Sequence, residues 1–183
     1  MCSSDLPSLG DVVKVINTYS HNLGAENLLR TVGKESSGKG SVEAGSEAVK
    51  TYLEGRGIAV DDFTMVDGSG LSRLNLCSPA QLTHLLSAML RSPSRADFIS
   101  SLATPGEPGT MRTRTVGTAA EKNLRAKTGS MNNVCNIAGY VTTKDNEMLC
   151  FAMMINNYTV PDALARSLQD LVCMRLAAYS TRQ

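Results

Sequence analysis

Apolar positions along this 183-residue chain change rhythm near residue 120, from helical spacing to strand alternation. Leu9, Val12, Val13 and Ile16 recur at helical intervals over residues 9–19. Tyr19-Ser20-His21-Asn22 interrupts them. Leu23, Leu28, Leu29 and Val32 resume the helical spacing, and Gly33 stands where a helix C-cap is expected. Residues 34–40, Lys-Glu-Ser-Ser-Gly-Lys-Gly, read as a polar loop. A further helix is expected over 42–56, opened by Ser41 and closed by Gly57. Phe63–Val66 reads as a short extended segment running into the turn-rich Asp67-Gly68-Ser69-Gly70-Leu71-Ser72. Ser78-Pro79-Ala80-Gln81 is a helix start, with Ser as N-cap, Pro at N1 and Gln at N3. Leu82, Leu85, Leu86, Met89 and Leu90 follow on one face. A short helix is expected over 95–102, then a long Gly-, Pro-, Thr- and Arg-rich loop over 104–118.

Beyond that loop, Leu124–Ser130, Asn136–Thr143 and Met148–Asn156 read as three strands, the last two joined by a turn at Lys144-Asp145-Asn146. Pro161 opens a closing helix, about 161–178, whose expected apolar face is Leu164, Leu168, Leu171, Val172 and Leu176. Helices, then an antiparallel hairpin set, then a helix packed on the sheet predict an α+β fold.

Composition narrows the functional classes. The net charge of +1 offers no nucleic-acid or anionic-membrane footprint, and no apolar run reaches the ~18 residues a membrane span needs. Five cysteines without a C-x-x-C argue against a disulfide framework and a zinc site, and two distant histidines argue against a His-based metal site. Nothing in the residues asks for a cofactor. With no Trp and few aromatics, the nine Met and the many Leu, Val and Ala must fill the core.

Three constellations carry chemistry. Lys127-Thr128-Gly129 lies on an expected strand and offers a cation, a hydroxyl and a bare backbone against which substrate can lie. The tripeptide alone is weak, since Lys-Ser/Thr-Gly arises by chance in roughly one chain in ten of this length. Ser20-His21-Asn22 sits at the break between two helices, about a hundred residues earlier. Ser130-Met131-Asn132 repeats Ser-x-Asn but overlaps a strand. Asp67–Ser72 is, on its own, a glycine-rich turn.

Taken in this order, the three resemble the class C low-molecular-mass penicillin-binding proteins, the D-alanyl-D-alanine carboxypeptidase/endopeptidase family, which carries Ser-x-x-Lys, Ser-x-Asn and Lys-Thr-Gly. The resemblance runs from about Pro7 onward and includes Tyr19–Leu23, Ala44-Gly45-Ser46, Val66–Ser72, Ala126–Ser130 and Asn136-Ile137-Ala138-Gly139-Tyr140. It implies that residues 7–183 form the C-terminal portion of a β-lactamase/transpeptidase-like domain, an antiparallel sheet flanked by helices. It further implies a serine acyl-enzyme acting on peptidoglycan stem peptides that end in D-Ala-D-Ala, sensitive to β-lactams and placed in the periplasm or otherwise outside the cytoplasm. By the same resemblance, Ser20 relays a proton to the leaving amine and Asn22 holds the substrate amide. Lys127 supplies positive potential, Thr128 binds the terminal carboxylate along Gly129, and the Ser130 N–H forms half of an oxyanion hole.

One departure matters. The family's Ser-x-x-Lys precedes its Ser-x-Asn, and the Ser-x-x-Lys of this sequence, Ser36-Ser37-Gly38-Lys39, follows it in a polar loop. The expectation is therefore a fragment without its nucleophile, inactive alone, with residues 1–6 non-native. The rival readings are a non-catalytic penicillin-binding-like protein and a nucleotide site at Gly33–Gly40. The nucleotide site lacks the hydroxyl residue after Lys39 and the preceding strand.

Overall fold

A computed structural model of the chain describes residues 6–181. Of the six N-terminal residues expected to be non-native, the first five lie outside the described residues. The elements in order are α1 (Leu9–Tyr19), α2 (Asn22–Ser37), α3 (Val42–Glu54), α4 (Pro79–Met89), α5 (Arg95–Ser101), β1 (Arg125–Met131), β2 (Val134–Thr142), β3 (Met148–Asn156) and α6 (Asp162–Ala177). Serine caps start three of the helices. Ser8 and Asp11 form a reciprocal capping box at α1, Ser41 accepts from the Ala44 N–H at α3, and Ser78 and Gln81 form a second box at α4.

Gly33 is not a cap. Helix α2 runs on to Ser37 and is closed by Gly38 at φ 76°, so residues 34–37 are helical rather than a loop. The reason is tertiary. A Cβ on Gly33 would stand 2.7 Å from the Gly45 amide nitrogen and 2.9 Å from the Ser41 carbonyl oxygen, so Gly33 is a point of close approach between α2 and α3. Helix α3 closes at Gly55, two residues before the expected Gly57. The extended segment at 63–66 reduces to one antiparallel bridge, Thr64 to Leu76.

The sheet is antiparallel in the order β1-β2-β3. Strand β2 begins two residues earlier than expected, and Leu124 lies just outside β1, buried in the core. Asn146, with φ 64°, makes the expected turn before β3. One sheet face packs on α6 through Ala126, Ile137, Val141, Phe151, Cys173 and Ala177. The other packs on α4 and α5 through Tyr140, Leu86, Leu102 and Phe98. Tyr140 is buried there, and its hydroxyl donates to the Leu86 carbonyl at 2.8 Å.

Helix α6 buries a different face from the one its leucines advertise. Leu164, Leu168 and Leu171 are more than half exposed, Val172 and Leu176 are partly buried, and the buried stripe is Ala165, Gln169, Cys173 and Ala177. Gln169 decides the orientation. It is fully buried, its Nε2 donates to the Cys135 carbonyl at 2.8 Å, and its Oε1 accepts from Arg114 at 3.1 Å. A buried amide so satisfied is costly to turn outward, and the small residues in line with it let the helix lie close to the sheet.

Candidate active site

Ser20 ends α1 in the left-handed conformation (φ 58°, ψ 52°), its N–H bonded back to the Ile16 carbonyl. A non-glycine residue held there costs on the order of 1 kcal/mol and persists only where its surroundings over-determine it. His21 then caps α2, its Nδ1 accepting from the Gly24 N–H at 2.9 Å, and Asn22 is the first residue of that helix. The sequence break at 19–22 is thus a tight kink, with Ser20 at the end of one helix and Asn22 at the start of the next. The Asn22 side chain is exposed and makes no hydrogen bond to any described residue.

Lys127 arrives from β1, 107 residues away in sequence. Its Nζ donates to Ser20 Oγ at 2.8 Å and to the Thr128 carbonyl at 2.7 Å. Burial pushes the Lys127 ammonium below its ordinary pKa. The rest of the expected site follows the strand. On β1, Ala126 bonds Ala103 through both its N–H and its C=O, on the edge away from β2. In an antiparallel strand, alternate residues direct both backbone groups to the same edge. The N–H and C=O groups of Thr128 and Ser130 therefore also point to that outer edge, which is free of any strand beyond Ala126 among the described residues. Gly129 and Ser130 are exposed. The Lys127 side chain projects to the α4–α5 face of the sheet, and Thr128 to the α6 face.

The Asp67–Ser72 loop, which sequence patterning leaves as a bare turn, rests on α2. Asp67 accepts from the Gly70 N–H at 2.6 Å, the Ser72 N–H at 2.7 Å and Asn75 Nδ2 at 3.0 Å. Burial raises its carboxyl pKa, but these donors outweigh that and hold it below the usual range. Glu26, one turn beyond Asn22 on α2, accepts from the Gly68 and Ser69 N–H groups, both at 3.1 Å. Arg73 reaches the Asn132 carbonyl in the β1–β2 turn at 2.6 Å. The loop therefore ties the helix of Asn22 to the strand of Lys127.

Ser36 lies in the last turn of α2, its hydroxyl donating to the Gly33 carbonyl at 3.2 Å, and Lys39 follows the left-handed Gly38 in the open. The expected polar loop is corrected, as far as Ser37, to a helix end. The pair still lacks the arrangement of a serine at a helix start with its lysine one turn on. The helical conformation of Gly33–Ser37 also removes the phosphate cradle a nucleotide site would need. Among the described residues no cluster of His, Cys, Asp or Glu is placed to hold a metal, and no helix is long and apolar enough to cross a membrane.

The Lys127 burial has a pH signature. Because the folded chain holds this proton less firmly than the unfolded chain, stability rises with pH between the lowered pKa and the ordinary ~10.4. Lys127→Met is expected to melt at or above the wild-type temperature near neutrality, since it removes a partly desolvated charge. Its advantage should shrink toward pH 10, which calorimetry across that range checks.

Residues 3–178 match the D-Ala-D-Ala carboxypeptidase 3 (S13) family. The chain is 35% identical over 180 residues to a D-alanyl-D-alanine carboxypeptidase of an Actinomadura species, covering 96% of this chain and 33% of that protein. It is 32% identical over 157 residues to D-alanyl-D-alanine carboxypeptidase DacB of Haemophilus influenzae, covering 84% and 33%. It thus spans about a third of the length of these relatives. The crystal structure of Haemophilus influenzae penicillin binding protein 4 in complex with a β-lactam superposes with a TM-score of 0.85 at 29% identity, over 92% of this chain and 41% of that one. The TLA-3 extended-spectrum β-lactamase shares the fold, with a TM-score of 0.70 at 18% identity over 91% of this chain and 62% of that one.

Proposed function

The chain belongs to the D-Ala-D-Ala carboxypeptidase 3 (S13) family, and from that premise we propose that it supplies the acid–base and carboxylate-binding side of a serine D-alanyl-D-alanine peptidase site. The observation that carries this reading is the 2.8 Å contact from Lys127 Nζ to Ser20 Oγ. An ammonium donating to a hydroxyl leaves that hydroxyl's own proton free to be given away, which a relay requires. In the proposed reaction a serine hydroxyl outside these 183 residues attacks the carbonyl between two D-Ala residues. The serine gives its proton to the lysine of its own Ser-x-x-Lys as its oxygen bonds the carbonyl carbon, the peptide C–N bond breaks, and D-Ala leaves with a proton that Ser20 gives to its amine and recovers from that lysine. Water then hydrolyses the acyl-enzyme. Asn22 holds the penultimate amide, Lys127 meets the terminal carboxylate, Thr128, whose side chain leaves the other face of β1, reaches that carboxylate across the open strand edge, and the outward N–H of Ser130 meets the oxyanion. The substrates are peptidoglycan stem peptides, β-lactams are acylating analogues of them, and the reaction takes place outside the cytoplasm.

The test is a chimera in which a Ser-x-x-Lys helix from the Haemophilus relative precedes residue 7. It is expected to release D-alanine from a peptide ending in D-Ala-D-Ala, with Lys127→Ala lowering kcat/KM by ~100-fold or more. Release unaffected by both Lys127→Ala and Ser20→Ala would reject the assignment. Binding of such peptides without release would favour the non-catalytic reading.

A further inference from the structure

We propose that Ser101 is a positioning residue, and that the three-residue strip Ser101–Ala103 sets the spacing between Ser20 and Lys127. The proposal rests on the functional reading above for what that spacing serves. Its evidence is a pair of hydrogen-bond sets that meet on one short segment.

At one end, Ser101 grips the last turn of α1. It is 1% exposed, its Oγ accepts from Asn17 Nδ2 at 2.8 Å and donates to the Phe98 carbonyl at 2.7 Å, and its carbonyl accepts from Thr18 Oγ1 at 2.9 Å. Thr18 is two residues before Ser20. Its own carbonyl is taken by the Thr110 N–H at 3.0 Å, and a Cβ on Gly109 would stand 2.8 Å from it. The end of α1 is therefore held from two sides, which supplies the over-determination that a left-handed serine needs.

At the other end, Ala103, also 1% exposed, exchanges both backbone hydrogen bonds with Ala126, at 3.0 and 2.9 Å. Ala126 is the residue before Lys127. The α1 end and β1 belong to different layers of the molecule, and Ser101–Ala103 bonds directly to both within a step or two of the reacting groups. Sliding or tilting either partner lengthens the Lys127–Ser20 contact, and a proton relay loses efficiency once its partners leave hydrogen-bond reach.

The experiment uses the 183-residue chain and needs no nucleophile. The rate at which an amine-acetylating reagent modifies Lys127 is measured across pH by peptide mass spectrometry, with the exposed Lys34 and Lys39 as internal references. Thr18→Val keeps the shape and removes the hydroxyl, Thr18→Ser keeps the hydroxyl, and Ser101→Ala removes the acceptor of Asn17. In Thr18→Val and Ser101→Ala, Lys127 modification is expected to rise about fivefold over the references, the population factor that goes with one net hydrogen bond. Its pH midpoint should move up from its lowered position. Thr18→Ser should behave as wild type. Lys127 unchanged in both variants, all three lysines accelerating together, or Thr18→Ser matching Thr18→Val would each overturn the proposal. Failure of the peptidase reading shows separately, as a chimera indifferent to Lys127→Ala.

Discussion

A fluorescent penicillin will leave the 183-residue chain without a covalent label. β-Lactam acylation needs a hydroxyl activated by an adjacent base and an oxyanion site that receives the carbonyl oxygen. The chain offers Ser20, but its neighbour Lys127 donates to Ser20 Oγ and so acts as a cation rather than a base. The serine with a lysine at the family spacing is Ser36, whose hydroxyl is already given to the Gly33 carbonyl at the C-terminal end of α2. That end presents carbonyl oxygens and the negative pole of the helix, which oppose the negative charge that develops on an attacking oxygen. Ser36→Ala should therefore look the same as wild type on the gel, while the chimera carrying a Ser-x-x-Lys helix should label. Stoichiometric labelling of the chain itself, abolished by Ser36→Ala, would sink this reading and move the nucleophile into α2.

The residues that announced themselves in the sequence are those whose chemistry is fixed by type and spacing. Lys127-Thr128-Gly129 could be placed on a strand because alternation and turn residues flank it, and Ser20-x-Asn22 at a kink because helical spacing stops on one side and restarts on the other. The supporting residues are silent by the same logic. Ser101 is one polar residue in a serine-rich stretch, and nothing local says that its hydroxyl meets Asn17, 84 residues earlier. Glu26 reads as an ordinary helix-surface carboxylate paired with Arg30 until the Asp67–Ser72 loop is seen resting on it. Helix α6 shows how a hydrophobic pattern misleads. Its three exposed leucines outweigh Ala165, Cys173 and Ala177 in any count of apolar character, yet one satisfied buried amide, Gln169, sets which side faces the sheet. Gly33 misled in the opposite direction. A glycine near a polar run has the local signature of a helix end, whereas its real constraint is the approach of α3, which no local pattern carries.

Two glycines of the sheet should respond very unequally to the same added methyl. Gly139 in β2 lies across from Ala126, and a Cβ there would run into the Arg125 carbonyl oxygen and stand 2.7 Å from the Ala126 Cα. These are backbone atoms of β1, not the ends of flexible side chains. Strand β1 cannot retreat either, since Ala126 is buried and bonded on its far edge to Ala103. Gly139→Ala therefore exceeds ordinary overpacking and is expected to cost ~3 kcal/mol or more, a large part of the stability of a domain this size. That corresponds to a fall of about 10 °C in Tm, or to loss of soluble folded protein. Any folded remainder should have lost the Lys127–Ser20 contact, because the displaced strand is the one that carries Lys127. Gly129 in β1 is the control. A Cβ there meets only the Asn136 Cβ, at 3.8 Å, so Gly129→Ala should melt within about 2 °C of wild type, as exposed substitutions do. Its cost should instead appear in the chimera, as a raised KM for the D-Ala-D-Ala peptide, because the new methyl stands beside the edge along which the substrate is proposed to lie. Equal Tm losses at the two positions would show that β1 is free to shift, and with it that the spacing of Lys127 from Ser20 is not set by the strand.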